Sequence, residues 1–268
     1  MKTLNVRFDP HKVEPRRDGR ERHDARSKVT WFVFVVACVL GAAALSGCTD
    51  QGDDTTPSTR DRQVTDTIPP LSARIGQPGR YAFTTFGPDL DASYQISIEV
   101  PNGYDSFEGW AALRIGTGQT AVSTLAIGDV YADPCRWKGT ELDRSMISTT
   151  DDIAAALAIQ QGLRVSAPRD VSLDGFAGTY LERRVPARTD LSDCDGAQFR
   201  VYLDEGRGPG GGGERYLVPG ELQRLWILDI EDVPLVIDAS TDPGTSARVR
   251  GELLRMVESI QIDPREEV

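Results

Sequence analysis

Apolar residues follow two different patterns in this chain and divide it into an N-terminal part and a folded part. Between Val29 and Thr49 no residue is charged. A helix of about 21 residues reaches roughly 30 Å, enough to cross the hydrocarbon core of a membrane. Beyond residue 80, short apolar runs alternate with polar positions and turn residues. The first pattern predicts a membrane segment at 29–48, and the second predicts strands and helices over 80–264.

Strands dominate the folded part. In the stretch 94–100, Ile96, Ile98 and Val100 alternate with polar side chains, which is the period of a half-buried strand. Residues 231–234 separate two apolar runs and predict a hairpin turn. The other strand candidates are 80–86, 109–115, 121–130, 171–173, 178–185, 199–203, 224–230 and 235–239.

Two helical patterns interrupt and close this series. Thr149 and Asp152 have the spacing of a capping box and predict a helix over 150–161. A second helix is predicted to begin at Asp242-Pro243, because apolar residues recur after it at helical spacing. The order of elements predicts an α+β fold, a single domain with a largely antiparallel sheet packed against two helices.

The apolar segment has the features of an export signal and an anchor. Residues 1–28 carry an excess of basic side chains, which predicts that the N-terminus stays in the cytoplasm. The sequence Leu45-Ser46-Gly47-Cys48 resembles the lipobox of bacterial lipoproteins. The resemblance implies that Cys48 is lipidated and becomes the mature N-terminus. The long charged region before the apolar run favours an uncleaved single-pass helix instead. Both interpretations place the folded part outside the cytoplasm.

Residues 49–79 connect the anchor to the domain. They are rich in Thr, Asp, Pro and Gly and show no helical or strand period. This composition predicts a flexible linker, whose root-mean-square reach is on the order of 30 Å.

The charge of the chain is unevenly distributed. The whole sequence has 30 basic and 41 acidic residues, a net charge of −11. Residues 1–47 contain nine of the basic and five of the acidic residues, so the remaining 21 and 36 give the rest of the chain a net charge of −15. Phosphate backbones repel such an acidic body, and we expect no nucleic-acid partner.

The chain has four cysteines. Cys38 lies in the apolar run and Cys48 is the lipidation candidate, which leaves Cys135 and Cys194 in the folded part. In an exported protein this pair is predicted to form a disulfide. The loop of about 60 residues that it closes would stabilise the domain by roughly 3–4 kcal/mol. The alternative is two free thiols serving as a redox or metal site.

Both histidines, His11 and His23, precede the apolar run. The exported part therefore has none, which excludes Ser-His-Asp and Cys-His catalysis, histidine zinc sites and a histidine pH switch. No metal or cofactor is predicted.

Carboxylates remain as candidates for acid/base catalysis. Asp229, Glu231, Asp232 and Asp238 cluster near the predicted hairpin, and one of them could act as a general acid if it were buried. Solvated turn and edge charges are the commoner role of such residues, and that role is favoured.

Other polar motifs fit turns better than ligand sites. Asp190, Asp193 and Asp195 invite a calcium site but lack the spacing of an EF-hand, so a polar turn beside the disulfide is favoured. The glycine-rich stretch 206–213 lacks the Lys-Ser/Thr of a phosphate loop and predicts a flexible tip.

Tryptophans and glycines have structural interpretations as well. Trp110, Trp137 and Trp226 could line an apolar pocket, but tryptophans on strands are expected mostly in the core. Gly175 and Gly178 are expected to serve a turn and a close backbone approach.

The order of the elements resembles the PsbP-like fold, in which an amphipathic strand ends in a proline turn. Here the strand at 94–100 precedes Pro-Asn-Gly-Tyr at 101–104. The resemblance continues through the helix at 150–161, the segment Val-Ser-Leu-Asp-Gly-Phe-Ala-Gly at 171–178, and the C-terminal hairpin and helix. With the lipobox, this order is similar to actinobacterial lipoproteins of the LpqN type. The resemblance implies a binding or assembly module rather than an enzyme.

These features predict a membrane-anchored extracytoplasmic lipoprotein that acts as a non-catalytic binding or assembly module in the cell envelope. Its predicted partners are the membrane, through the lipid or the apolar helix, and an envelope protein or an amphiphilic ligand. Two alternatives stay open. A carboxylate-dependent envelope hydrolase needs two carboxyl groups roughly 5–10 Å apart in one cleft, and a single-pass membrane sensor needs an uncleaved helix.

Overall fold

The structure is a computed structural model. It describes residues 68–71, 75–84, 90–142, 144–204 and 213–265. The predicted membrane segment 29–48, with the lipidation candidate Cys48, lies outside the described residues. So do the first part of the predicted linker and all of the glycine-rich stretch except Gly213.

Fifteen strands and two α-helices make up the described part of the chain. Their bounds are β1 (Gly79–Ala82), β2 (Tyr94–Val100), β3 (Asp105–Phe107), β4 (Ala111–Arg114), β5 (Thr120–Leu125), β6 (Ile127–Tyr131), β7 (Glu141–Leu142), α1 (Thr150–Ala158), β8 (Arg164–Val165), β9 (Arg169–Leu173), β10 (Phe176–Arg184), β11 (Phe199–Asp204), β12 (Glu214–Leu217), β13 (Leu222–Ile230), β14 (Val233–Thr241), α2 (Ala247–Glu258) and β15 (Gln261–Pro264).

The strands form three sheets. The main sheet has the order β3-β4-β5-β14-β13-β10-β8, and β9 also pairs with β10. The second sheet has the order β12-β11-β6-β7, and the third has the order β1-β2-β15. All pairings between these strands are antiparallel. The predicted α+β class, with largely antiparallel pairing and two helices, is confirmed, although the strands form three sheets rather than one.

The main sheet lies in the middle because both of its faces are apolar. In β13, Trp226 and Leu228 lie on one face, and Leu225 and Ile227 lie on the other. The first face packs against α2 and the third sheet. The second face packs against α1 and the second sheet. Removing both apolar faces from water is the main stabilising term of the fold.

The first helix agrees with the sequence pattern. Thr149 Oγ1 accepts a hydrogen bond from the Asp152 N–H at 3.1 Å, and the Asp152 carboxylate accepts one from the Thr149 N–H at 3.3 Å. This is the predicted capping box. The helix ends at Ala158, three residues before the predicted end.

The predicted start of the second helix at Asp242-Pro243 is wrong. The helix begins at Ala247, and the Ser246 hydroxyl caps it. Gly244 has a φ of +85°, a left-handed conformation that turns the chain and delays the helix. Asp242-Pro243 therefore belongs to a turn, in which the Thr245 N–H donates to the Asp242 carbonyl at 3.3 Å.

Other parts of the fold also differ from the sequence pattern. The run 121–130 is predicted as one strand but is divided between β5 and β6, which belong to different sheets. Strands β3, β7, β8, β12 and β15 are missing from the prediction. The last of them, β15, follows α2 and pairs with β2. Leu71 lies in the predicted linker, yet it is fully buried and its N–H donates to the Ala82 carbonyl at 2.7 Å.

Two-residue turns close both long hairpins. Asp174 and Gly175 join β9 to β10 with φ values of 49° and 86°, so Gly175 serves a turn as predicted. Glu231 and Asp232 join β13 to β14 with φ values of 52° and 70°. The hairpin predicted at 231–234 is confirmed, but the turn is shorter because Val233 already pairs with Ile230.

Gly178 allows β10 and β13 to approach each other closely. A Cβ atom at this position would lie 2.1 Å from the Ile227 carbonyl oxygen and 2.8 Å from Leu228 Cα. The predicted close backbone approach is therefore confirmed.

We predict that Gly178→Ala lowers the free energy of unfolding by about 2–3 kcal/mol, because the two strands must separate to admit the methyl group. Gly251→Ala in α2 is the matched control. Its Cβ would meet only Arg255 Nη1, at 3.6 Å, so helix propensity should raise stability by up to about 1 kcal/mol. Chemical denaturation followed by tryptophan fluorescence measures both changes. Equal effects of the two substitutions would contradict the close approach.

Candidate functional site

The four candidate catalytic carboxylates do not face one cleft. Asp229, Glu231 and Asp232 are exposed at the β13–β14 turn, whereas Asp238 is 2% exposed. Asp229 pairs with Pro234, and Asp238 lies four residues further along β14. At the rise of a strand this is a backbone separation of about 13 Å, more than the roughly 5–10 Å that a carboxylate pair needs for glycoside hydrolysis.

Cys135 and Cys194 form the predicted disulfide. It joins the connection between β6 and β7 to the segment before β11, and the two Cα atoms are 4.5 Å apart. Backbone hydrogen bonds reinforce this junction. The Asp195 N–H donates to the Cys135 carbonyl at 2.8 Å, and the Arg200 N–H donates to the Pro134 carbonyl at 2.9 Å. The disulfide therefore fastens one edge of the second sheet.

The aspartates beside the disulfide accept hydrogen bonds within turns of the backbone. Hydrogen bonds from the Ser192 hydroxyl and N–H lower the pKa of Asp190. The Asp195 carboxylate accepts a hydrogen bond from the Lys138 N–H at 3.2 Å, and Asp193 is exposed. Within the described ranges, no group of three or more His, Cys, Asp or Glu residues could hold a metal ion. The hydrogen bonds of Asp190 and Asp195 agree with the favoured polar turn beside the disulfide.

The tryptophans occupy structural positions. Trp110 and Trp226 are buried, as expected. Trp137 is half-buried beside the disulfide, and its Nε1 donates to the Asp195 carbonyl at 2.8 Å. The Arg200 guanidinium carbon lies 3.4 Å from the centroid of the Trp137 ring. The ring and the guanidinium thus pack together over the disulfide-linked segment.

A set of polar side chains is buried between the main sheet and the second sheet. We call it the buried polar cluster, and each member is at most 7% exposed. Its members are Gln160, Arg183, Tyr202, Arg215, Glu221, Gln223 and Asp238.

Asp238 is the centre of this cluster. Its Oδ2 accepts hydrogen bonds from the Tyr202 hydroxyl at 2.9 Å and from Arg215 Nε at 3.2 Å. Gln223 Nε2 donates to the same oxygen at 2.5 Å. Arg215 also donates to Glu221 at 2.6 Å. Since Tyr202 lies on β11 and Arg215 on β12, these bonds attach the second sheet to β14 of the main sheet.

Arg183 extends the cluster to the end of α1. It is fully buried, and it donates to Gln223 Oε1 through Nε at 3.0 Å and to Gln160 through Nη1. Gln160 Nε2 donates in turn to the carbonyls of Tyr131 and Val201, each at 2.6 Å. One buried guanidinium therefore connects the main sheet, α1 and the second sheet.

The pKa shifts in the cluster follow from removal of these groups from water. Burial lowers the pKa of Arg183 to about 10. Burial raises the pKa of Glu221, against the opposing effect of Arg215, and raises that of Tyr202 well above its ordinary value. The two arginines balance the two carboxyl groups in formal charge. The groups hydrogen-bond to one another across the two sheets, although Asp238 Oδ1 is buried without a hydrogen-bond partner among the described residues. The cluster therefore serves as a scaffold for the sheets.

We predict that Asp238→Asn lowers the free energy of unfolding by about 3–5 kcal/mol, because it leaves the buried arginines in excess over their carboxylate partners. Glu258→Gln removes one negative charge from the exposed side of α2 and should change stability by less than about 0.5 kcal/mol. Urea denaturation at neutral pH compares the two variants. A loss below about 1 kcal/mol for Asp238→Asn would show that the cluster does not hold the sheets together.

Several arginines lie on the first face of the main sheet, at the end that β8, β9, β10 and β13 form. Arg164 lies directly opposite Arg184. Arg169 lies opposite Tyr180, and Arg224 lies between these pairs along the strands. We call Arg164, Arg169, Arg184 and Arg224 the arginine face. The first three are exposed, and the side chain of Arg224 is 11% exposed.

Glu182 is the one acidic residue that these four described strands place on the arginine face. Asp170 and Asp229 occupy alternate positions on their strands and point to the opposite face. The arginine face therefore has four guanidinium groups against one carboxylate. Within the described residues, the side chains of Arg164 and Arg184 make no hydrogen bond or ion pair, and the two residues lie opposite each other on paired strands. Like charges directly opposite one another destabilise a sheet.

Aromatic rings form the floor of the arginine face. The Arg169 guanidinium carbon lies 4.2 Å from the centroid of the Tyr180 ring. The rings of Tyr180 and Trp226 meet edge to face at 4.9 Å. Stacking on the aromatic ring holds the exposed Arg169 guanidinium in place at the surface.

Glu182 is committed to partners within this surface. Its Oε1 accepts hydrogen bonds from the Tyr180 hydroxyl at 2.6 Å and from Arg224 Nε at 3.1 Å. Burial, followed by the bond to Glu182, raises the pKa of Tyr180 to about 12. Burial acts to raise the pKa of Glu182 as well, but Tyr180 and Arg224 outweigh it and lower that pKa. Arg224 Nη1 is buried and has no hydrogen-bond partner among the described residues.

Sequence reasoning missed both the buried polar cluster and the arginine face. A signal for the arginine face was present: residues 163–189 contain five arginines and three acidic residues, in a part of the chain that is otherwise acidic. The buried polar cluster has no comparable local signal, since its members come from six separate segments.

Neither a family model nor a curated protein matches this chain. Among solved structures, a crystal structure from Bacteroides thetaiotaomicron is similar to it with 13% sequence identity and a TM-score of 0.29. The match covers 71% of this chain and 50% of that one, so this chain spans only half the length of that protein. A TM-score this low does not indicate a shared fold. In the part of the chain that the structure describes, no helix is long and apolar enough to cross a membrane.

Proposed function

We propose that this protein is a membrane-anchored extracytoplasmic lipoprotein that acts as a non-catalytic binding or assembly module of the cell envelope. The arginine face is its binding surface for an anionic partner. The observation that carries the proposal is four guanidinium groups against one carboxylate on one face of a strongly acidic domain.

The chemistry of this surface suits binding. Exposed guanidinium groups form charge-assisted hydrogen bonds with carboxylates and phosphates, often through two parallel N–H groups. Arg164 and Arg184 have no internal partner within the described residues, so both are available. The strands below them give the surface a fixed shape, which reduces the ordering cost of binding.

Two observations favour binding over catalysis. The four carboxylate candidates are divided between an exposed turn and the buried polar cluster. The exported part of the chain has no histidine, which removes the commonest general base at neutral pH.

The anchored location rests on the sequence. The uncharged run at 29–48, the basic region before it and the lipobox ending in Cys48 support export and lipidation. The resemblance to PsbP-like domains and to lipoproteins of the LpqN type agrees with a binding role and stays a prediction.

The anchor can be tested by the intact mass of full-chain protein extracted from membranes. We expect a species that begins at Cys48 with added acyl mass and lacks two hydrogens because of the disulfide. A species that retains residues 1–28 would contradict the lipid anchor and favour the single-pass sensor.

The binding surface can be tested by photo-crosslinking in the native membrane. A photoreactive residue replaces Ala167, which is exposed between β8 and β9, or Ala155, which is exposed on α1. We expect crosslinked products from position 167, reduced at least about tenfold by Arg164→Gln with Arg184→Gln, since hydrogen bonds to charged groups contribute about 1.5–3 kcal/mol each. Equal products from both positions, or no effect of the arginine substitutions, would contradict this assignment.

A further inference from the structure

We propose that the anionic partner of the arginine face is the phospholipid headgroup layer of the membrane that carries the anchor. This inference rests on the proposed function, because it requires the domain to be held near a membrane. The domain then docks on the membrane surface through the arginine face, at the end of the main sheet that β8 and β9 form.

The arrangement of the arginines fits a surface of repeated phosphates. Arg164, Arg169 and Arg184 are exposed on neighbouring strands. A single small anion is usually held in a concave site that buries most of its surface. An open array of guanidinium groups instead binds several phosphates side by side, each through the planar fork of one arginine.

The pair Arg164 and Arg184 supplies an independent argument. In the unbound domain the two side chains repel each other, because they are directly opposite on adjacent strands. An anionic surface reverses this effect, since phosphates between the guanidinium groups neutralise both. Docking is thus favoured by new contacts and by relief of a repulsion already present in the domain.

The remaining charge of the domain determines how it docks. The chain beyond residue 47 has a net charge of −15, so an anionic membrane repels most of its surface. The arginine face can approach such a membrane because its single acid, Glu182, is bound to Tyr180 and Arg224. Electrostatics therefore favours the orientation in which the arginine face meets the membrane.

The test uses the full chain reconstituted into vesicles of phosphatidylcholine alone or mixed with phosphatidylglycerol. Hydrogen exchange of the backbone amides in 164–173 reports docking of β8 and β9. We expect slower exchange in the vesicles that contain phosphatidylglycerol, and loss of this protection at high salt.

The double variant Arg164→Gln, Arg184→Gln should lower the docking equilibrium constant about 25-fold, because each arginine near an anionic surface contributes about fivefold. Arg136→Gln with Lys138→Gln changes the net charge equally at the exposed disulfide segment and should retain protection.

The outcomes separate the docking proposal from the proposed function. Protein that floats with both kinds of vesicle but exchanges equally in both overturns the docking proposal alone. Protein that floats with neither overturns the anchored function and the docking proposal with it. Protection by soluble polyglutamate, without protection by anionic vesicles, also overturns membrane docking and identifies an acidic protein segment as the partner. Equal losses in the two double variants show a general charge effect and overturn the assignment to the arginine face.

Discussion

Charges removed from water must be paired inside a protein, and this requirement joins the main sheet to the second sheet. Asp238 lies on the main sheet, while its partners Tyr202 and Arg215 lie on the second sheet. Neither sheet could bury its own charged group without the other, because an unpaired buried charge costs several kcal/mol. Apolar burial supplies most of the stabilisation. The buried polar cluster restricts how the sheets fit together, since a shift of one strand position would separate Asp238 from its donors.

Strand β10 connects this internal constraint to the protein surface. Successive side chains on a strand point to opposite faces, so Arg183 enters the buried polar cluster and Arg184 belongs to the arginine face. The bonds of Arg183 to Gln223 and Gln160 hold β10 in its register. The same register places Arg184 opposite Arg164. The arginine face is therefore built on rigid strands whose positions are set from inside the domain.

Local sequence signals predict local structure, but they do not predict which residues far apart in the sequence contact each other. The capping box at Thr149 and the β13–β14 hairpin depend on neighbouring residues, and the disulfide follows from the small number of cysteines. Asp238 could be placed in a charge cluster near the hairpin, but its partners Arg215 and Tyr202 are 23 and 36 residues away in the sequence. The adjacent arginines at 183 and 184 are identical in the sequence, and only the tertiary fold distinguishes the buried one from the exposed one.

The division between internal and external charge supports the binding role that we propose for this domain. In the buried polar cluster the two arginines balance the two carboxyl groups, so the cluster adds little to the field outside the protein. Near β8 and β10 the exposed arginines outnumber the one acidic residue of the arginine face, Glu182, which is bound to Tyr180 and Arg224. A cationic face on an acidic body attracts anions in one orientation and repels them in the others. The exposed side chains of Arg164 and Arg184, which have no partner among the described residues, lie on the surface of the sheet, where an anion can reach both.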